Sequence, residues 1–188
     1  MIGNDIVDLK HSAPNWKRPR FLEKVFTKKE QSFILSSENQ HQMVWLLWSM
    51  KEAAYKAHVQ HFENRFFNPK RLECELISEE NGLVIIDTIK YYTSSTITPE
   101  YVYTVAKQNN IQVLHTTLFT SEISNQSLQS AKLKERALKS ISETKHLNLK
   151  TLEIRKTKIG IPKLFYASEK LAMHLSLTHC GRFSGFVF

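Results

Sequence analysis

The chain has 188 residues, of which 41% are hydrophobic, and a formal net charge of +8 at pH 7. This length allows one good hydrophobic core or two small coupled cores. The longest apolar run, 44–50, is far too short to cross a bilayer, so we expect no membrane segment. Cys74 and Cys180 stand alone without metal-binding spacing, and we expect two reduced thiols and a cytoplasmic location.

The first part of the chain predicts a strand, two helices and a series of β-hairpins. An apolar run over 2–9 predicts the strand, and a proline-bounded loop follows over 11–19. Helices are predicted over 28–37 and 41–61, the first of which begins with a capping box of Thr27 and Glu30. Four β-rich segments follow, separated by turn-forming residues: 72–77, 83–92, 101–106 and 111–119.

The second part of the chain predicts one long helix among further strands. A polar stretch over 120–129 leads into a helix over 130–145, with Leu133, Ala137 and Ile141 in its buried stripe. The remaining elements are a strand over 152–155, a turn at 160–162, a short helix at 169–173, and strands over 175–177 and 183–188. Together these elements predict an α+β fold with mostly antiparallel strands.

The segment 48–56 of the second helix places a carboxylate and an ammonium four residues apart. A stripe at three-and-four spacing predicts the buried face, formed by Met43, Leu47, Met50, Ala54 and Ala57. Ser49, Glu52 and Lys56 should therefore face a cleft or water. In a cleft, Glu52 is a candidate metal ligand and Lys56 a candidate acid for a leaving group. The alternative is an exposed i,i+4 ion pair, worth a few tenths of a kcal/mol.

The N-terminal strand carries Asp5 among apolar residues, and Gly3 allows another backbone to approach closely. A buried carboxylate needs a partner. The pattern Gly-x-Asp-Ile at 3–6, together with segment 48–56, resembles the signature pair of the 4′-phosphopantetheinyl transferases. Segment 21–30 is similar to the part of that family ahead of its lysine-glutamate helix. Residues 160–164 and 175–183 resemble the family's Gly-Lys-Pro and Ser-His-Ser-Gly segments, which line the coenzyme A pocket.

The resemblance implies transfer of the 4′-phosphopantetheine group from coenzyme A to a serine of an apo acyl or peptidyl carrier protein, with release of 3′,5′-ADP. It implies Mg²⁺ as the cofactor, held by Asp5 and Glu52. Lys56 would then lie near the departing phosphate and stabilise or protonate it. The serine proton would go to Glu52 or to a metal-bound water, and the sequence does not choose between them.

The resemblance also assigns residues to coenzyme A. Thr178 and His179 are expected to hold its 3′-phosphate, and Pro162 with neighbours such as Lys163 to shape the adenine side. Lys134 and Arg136 are expected, on charge alone, to add phosphate contacts.

The order of the motifs is that of the short, trimeric holo-acyl-carrier-protein synthases and the reverse of the larger surfactin-synthetase-activating type. The short synthases have fewer residues, and the extra length here contains a second helix-plus-strand unit. We therefore expect the 4′-phosphopantetheinyl transferase fold as two pseudo-twofold-related subdomains, 1–110 with the metal-site motifs and 111–188 with the coenzyme A motifs. A monomer is expected, with a trimer as the alternative. Two departures stand out, because Val7 replaces an acidic residue of the surfactin type and Ile161 replaces the family's lysine. Asp8 should point away from Asp5 and is not expected to bind the metal.

Positive charge is concentrated in the second part of the chain, where 116–188 carry twelve Lys and Arg against five Glu. Such a surface would attract both the phosphates of coenzyme A and an acidic carrier protein. A basic nucleic-acid-binding protein is one alternative, but no nucleic-acid module is recognised and the aromatic residues do not alternate with basic ones. A catalytically inactive coenzyme A-binding homologue is the other. We expect neither nucleic acid nor membrane as a partner.

Overall fold

The computed structural model describes residues 1–12, 14–121 and 125–188, with the side chains of Pro14 and Asn15 left aside. Parts of the predicted loop 11–19 and of the predicted polar stretch 120–129 therefore lie outside the described residues. The α-helices of the described residues are α1 (Phe21–Val25), α2 (Lys28–Ser36), α3 (Gln40–Phe62) and α4 (Gln126–Lys145). The strands are β1 (Ile2–Asp8), β2 (Leu72–Leu76), β3 (Asn81–Ile86), β4 (Ile89–Ile97), β5 (Tyr101–Lys107), β6 (Thr116–Thr120), β7 (Leu152–Lys156), β8 (Pro162–Tyr166), β9 (Glu169–Lys170), β10 (Ser176–Cys180) and β11 (Phe183–Val187).

The described strands form three sheets in which every pairing is antiparallel. The first part of the chain builds a five-stranded sheet in the order β1-β5-β4-β3-β2. The second part builds two three-stranded sheets, β10-β11-β6 and β7-β8-β9. The predicted α+β class, with antiparallel sheets and packed helices, is confirmed.

Helix α3 is the central element of the first part of the chain. It begins at the cap Asn39, whose side chain accepts a hydrogen bond from the Gln42 amide, and it ends at Glu63 in the left-handed conformation. The helix packs along β1 and β5 and buries residues on most of its circumference. It approaches β1 backbone to backbone, because a Cβ atom at Gly3 would lie 2.9 Å from the Ala57 nitrogen and closer still to the Ala53 oxygen. The predicted close approach at Gly3 is therefore present in the structure.

Two larger hydrophobic cores lie on either side of the β5–β6 connection. The first lies between α3 and the five-stranded sheet and includes Phe26, Leu47 and Tyr91. The second lies under α4 and includes Leu133 and Phe186. A small third cluster of Ile6, Tyr103 and Phe183 joins β1 and β5 to β11. The subdomain bounds of 1–110 and 111–188 and their pseudo-twofold relation stay predictions.

Several local predictions are corrected. The predicted helix over 169–173 is wrong, because Ala167 and Ser168 both take positive φ and turn the chain back along β8, where residues 169–170 pair as β9. The predicted single segment 83–92 is two strands, with Asp87 at positive φ in the turn between them. The strand expected at 111 begins only at 116, the helix expected at 130 begins at 126, and α1 is an element that periodicity alone did not predict.

The capping box predicted at Thr27 and Glu30 is present and continues into a buried ion pair. Glu30 accepts a hydrogen bond from the Thr27 amide and also pairs with Lys51 at 2.8 Å, both of these charged side chains being almost completely buried. The Lys51 ammonium further donates to the carbonyl oxygens of Pro69 and Leu72. One cation thus ties α2, α3 and the start of β2 together. Among the described residues, no helix has the length and hydropathy needed to span a membrane.

Candidate active site

Asp5 of β1 and Lys56 of α3 form the centre of the candidate site. The Lys56 Nζ atom lies 2.9 Å from Asp5 Oδ1 and 2.8 Å from the Asn4 carbonyl oxygen. The Asp5 side chain is 12% exposed and that of Lys56 29%. Burial raises the pKa of Asp5, while Lys56 and the hydroxyls of Thr178 and Ser49 act to lower it. The carboxylate therefore has the partner that its burial requires.

Glu52 lies one helical turn before Lys56 and interacts with the same cluster. Its pKa is raised to about 6, first by burial and then by the negative charge of Asp5, with Lys56 opposing. No ion pair between Glu52 and Lys56 is formed within the described part of the chain, since the lysine pairs with Asp5 instead. The alternative prediction, an exposed i,i+4 ion pair between Glu52 and Lys56, is therefore not what the structure shows. Ser49, which was expected to face a cleft or water, is fully buried against β1.

A cleft of about 890 Å³, including its open mouth, extends from this cluster toward the second part of the chain. Its walls come from α3, α4, β10 and the loop between β7 and β8. Glu52 and Lys56 line one side, and His179 and Pro162 line the other. Burial lowers the pKa of His179, and the charges of Lys56 and Lys156 act in the same direction. These effects favour the neutral form of His179.

Two basic residues that the sequence analysis did not single out also line the cleft. Lys156 stands at the end of β7, and Arg65 reaches across from the segment after α3. Gly160 has a φ of +83°, and a Cβ atom there would lie 2.8 Å from the Arg65 guanidinium. Glycine at this turn thus leaves space for the arginine. Basic residues precede Gly160 in the sequence, and this run could have indicated that Lys156 belongs to the site. No local sequence pattern indicated Arg65.

Four residues predicted to contact coenzyme A do not line this cleft. Thr178 is buried, and its hydroxyl contacts Asp5. Lys163 pairs with Glu63 at 3.0 Å and is absent from the cleft lining. On α4, Arg136 lies over the ring of Phe119, and Lys134 is absent from the lining. For these side chains the observed arrangement gives no support to the expected phosphate contacts.

Two other residues of β1, Val7 and Asp8, lie near Asp5 in the chain but do not join its cluster. Val7 is buried, in line with its apolar character. Asp8 points elsewhere, since its carboxylate accepts paired hydrogen bonds from the Arg182 guanidinium at 2.9 Å each. Asp8 is thus committed to an ion pair and does not join Asp5 and Glu52.

The residues present fit a magnesium ion that keeps most of its ligands from water and phosphate. Among the described residues, no group of three or more His, Cys, Asp or Glu side chains could hold a metal ion. Asp5 and Glu52 are two carboxylates whose negative charges act on each other through a partly buried space. One or two carboxylates, with waters and substrate phosphates completing the octahedron, is the usual arrangement for Mg²⁺ in phosphate chemistry.

Glu52 also faces a second, less polar pocket on its other side. This pocket has an empty volume of about 800 Å³ and includes Trp48, Tyr55, Phe66 and Phe67 in its lining. Glu52 thus stands where a cation-lined cleft meets an apolar pocket.

Comparisons with known proteins bear on this site. The family model described as the 4′-phosphopantetheinyl transferase superfamily matches residues 1–106, more than half of the chain. The crystal structure of the holo-acyl-carrier-protein synthase from Thermotoga maritima is similar with 12% identity and a TM-score of 0.43, over 90% of this chain and 83% of that one. A search of curated proteins found no match. On the family match, the chain belongs to the 4′-phosphopantetheinyl transferase superfamily.

Proposed function

We propose that this protein transfers the 4′-phosphopantetheine group of coenzyme A to a serine of an acidic apo carrier protein and releases 3′,5′-ADP. Family membership supports phosphopantetheinyl transfer in general. The observation that carries the more specific proposal is the cluster of Asp5, Glu52 and Lys56 at one end of a cleft lined by cations.

The cleft suits the nucleotide part of coenzyme A. Its phosphates carry several negative charges, and Arg65 and Lys156 supply positive charge along the cleft walls. His179 lines the cleft with its neutral form favoured, and a neutral imidazole can donate one hydrogen bond to a phosphate oxygen. The uncharged pantetheine arm would continue past Glu52 into the apolar pocket with Trp48 and Tyr55, where little charge meets it.

Asp5 and Glu52 would hold Mg²⁺, which when bound neutralises charge on the pyrophosphate. The serine oxygen forms a bond to the phosphorus on the pantetheine side, and the bond from that phosphorus to the bridging oxygen breaks. Glu52, whose pKa is raised to about 6 by burial and by Asp5, would accept the serine proton, directly or through a metal-bound water. Lys56 would stabilise or protonate the departing phosphate.

All the proposed groups come from one chain, because β1, α3, β10 and the β7–β8 loop meet at the cleft. We therefore propose that a monomer is sufficient for activity. Light scattering during size exclusion, with activity measured across the peak, separates an active monomer from a trimer.

Intact mass spectrometry of an apo carrier protein tests the function. With coenzyme A and Mg²⁺, the carrier should gain one phosphopantetheine group, and chelation of the metal should prevent the gain. Glu52→Gln should abolish transfer. Glu143→Gln is the matched control, since this glutamate is exposed on α4 far from the cluster, and it should be as active as the wild type.

The rival functions give different results in the same experiments. A catalytically inactive homologue would bind coenzyme A and leave every apo carrier unmodified. A nucleic-acid-binding protein would bind duplex DNA or RNA in a salt-sensitive way, with no effect of coenzyme A. Either result would overturn the proposal.

A further inference from the structure

The edge of β1 opposite β5 faces β10 of the other sheet. Strand β1 is the edge of the five-stranded sheet, and all seven of its residues are buried. Its outward amides are not paired with a neighbouring strand backbone. Instead, the Asn4 amide donates to Ser176 Oγ at 3.1 Å, and the Ile6 amide donates to Thr178 Oγ1 at 3.3 Å. Two hydroxyls of β10, spaced by two residues, thus accept hydrogen bonds from two outward amides of β1.

The Thr178 hydroxyl does more than accept this amide. It also donates to Asp5 Oδ1 at 3.3 Å, the same oxygen that Lys56 contacts. Because the hydroxyl oxygen accepts from the Ile6 amide, its hydrogen must point elsewhere, and Asp5 is the acceptor that it meets. The residue is 5% exposed, so no water competes for this bond. The direction of the Asp5 carboxylate is therefore set jointly from α3 and from β10.

A second contact fixes the end of the same seam. The Asp8 carboxylate, at the end of β1, accepts hydrogen bonds from the Arg182 backbone amide and guanidinium. Arg182 lies in the turn between β10 and β11, next to Gly181 at positive φ. A Cβ atom at Gly181 would collide with the Asp8 side chain, so glycine is needed for this close contact. The pair prevents β10 from sliding along β1.

We propose that Thr178 is a positioning residue that holds Asp5 in place for the metal across the seam between β1 and β10. This inference rests on the proposed function and replaces the phosphate contact that the sequence suggested for the same residue. It makes the metal site depend on the second part of the chain, although both of its carboxylates belong to the first part.

Two substitutions of Thr178 distinguish the effect of its hydroxyl from the effect of its side-chain shape. Thr178→Val keeps the shape and removes the hydroxyl, and Thr178→Ser keeps the hydroxyl and removes a methyl group. Affinity for Mn²⁺, measured by electron paramagnetic resonance with coenzyme A present and no carrier protein, should fall roughly tenfold in the valine variant. The serine variant should stay within about twofold of the wild type. Equal Mn²⁺ affinity in the valine variant and the wild type would overturn the inference.

A nucleotide comparison distinguishes this role from a phosphate contact. The dissociation constants of coenzyme A and of 3′-dephospho-coenzyme A, measured without metal, should change by the same factor in Thr178→Val. A loss confined to coenzyme A would show that Thr178 binds the 3′-phosphate and would overturn the inference.

Stability controls keep the test interpretable. Ser95→Ala removes a buried hydroxyl that bonds to Thr104 within the same sheet and does not touch Asp5. It should lower the unfolding midpoint about as much as Thr178→Val and leave Mn²⁺ affinity unchanged. If the valine variant does not fold, Thr178→Ala takes its place with the same expected tenfold loss. Phosphopantetheinyl transfer by the wild type is measured in parallel. Absence of transfer by the wild type would contradict the proposed function, whereas unchanged Mn²⁺ affinity in the Thr178 variants would contradict only the positioning role.

Discussion

The backbone contact between β1 and α3 should make Gly3→Ala one of the most damaging substitutions in the chain. The added Cβ atom would lie 2.9 Å from the Ala57 nitrogen and nearer still to the Ala53 oxygen, whereas ordinary contact begins at about 3.4 Å. Overpacking a core costs about 1–3 kcal/mol, and here the obstacle is backbone, so we expect about 3 kcal/mol. For a chain of this size that is a fall of about 6–12 °C in Tm.

The same substitution should reduce activity by more than the loss of folded protein explains. Moving α3 away from β1 separates Glu52 and Lys56 from Asp5, and a displacement of about 1 Å costs roughly a hundredfold in rate. Gly185→Ala is the control, because its Cβ atom would meet the Thr117 oxygen at 3.1 Å and needs only a small adjustment. Urea unfolding and carrier modification should be measured on both variants. Surface substitutions usually change stability by less than about 0.5 kcal/mol. A Gly3→Ala protein that differs from the wild type by no more than this would show that the backbone contact tolerates a Cβ atom.

Three further predictions follow from charged groups. Folding raises the pKa of Glu52 from an ordinary 4.5 to about 6, so the free energy of unfolding falls as pH rises between these values. Glu52→Gln should therefore increase the free energy of unfolding by about 1–2 kcal/mol at pH 7 and by little at pH 4. A pH-independent effect of this substitution in urea unfolding would contradict the prediction. Burial favours the protonated form of Asp8, but the hydrogen bonds and charge of Arg182 outweigh it and lower the pKa of Asp8. The pair therefore stabilises the fold above about pH 4, and this stabilisation is lost as pH falls through the lowered pKa. In chemical denaturation, Asp8→Asn should lower the free energy of unfolding by about 3 kcal/mol at pH 7, and the difference from the wild type should shrink below pH 3.8. Lys51→Met leaves the buried Glu30 unpaired and should lower the free energy of unfolding, measured by chemical denaturation, by about 3–5 kcal/mol. Lys29→Met removes an exposed ion pair and should cost about 0.5 kcal/mol or less. Equal costs would show that the buried pair stabilises the fold no more than the exposed one.

The sequence predicts most clearly what depends on local pattern. The stripe of α3, the capping box at Thr27 and the strand around Asp5 were all readable, because periodicity and capping involve residues close in the chain. The pairing of Lys56 with Asp5 could be anticipated only as a general need of a buried carboxylate for a partner. Its actual form depends on the backbone contact at Gly3, which is a tertiary feature.

Long-range partners explain what the sequence did not reveal. Lys163 was expected beside the adenine of coenzyme A, but the structure pairs it with Glu63, one hundred positions earlier. Thr178 looked like a ligand contact in a C-terminal motif, yet its neighbours are Ile6 and Asp5 at the other end of the chain. No local pattern encodes such contacts. Ser49 was misplaced for the same reason, since helical periodicity cannot show that a helix is covered on more than one side.

We propose that Asp5 and Glu52 share one divalent cation beside the pyrophosphate of coenzyme A. The most direct measurement is the anomalous scattering of Mn²⁺ in crystals grown with coenzyme A. We expect one peak within coordination distance of both carboxylates, with the pyrophosphate on its open side and His179 on the nucleotide. A peak that touches only one carboxylate, or coenzyme A bound outside the cleft, would contradict it.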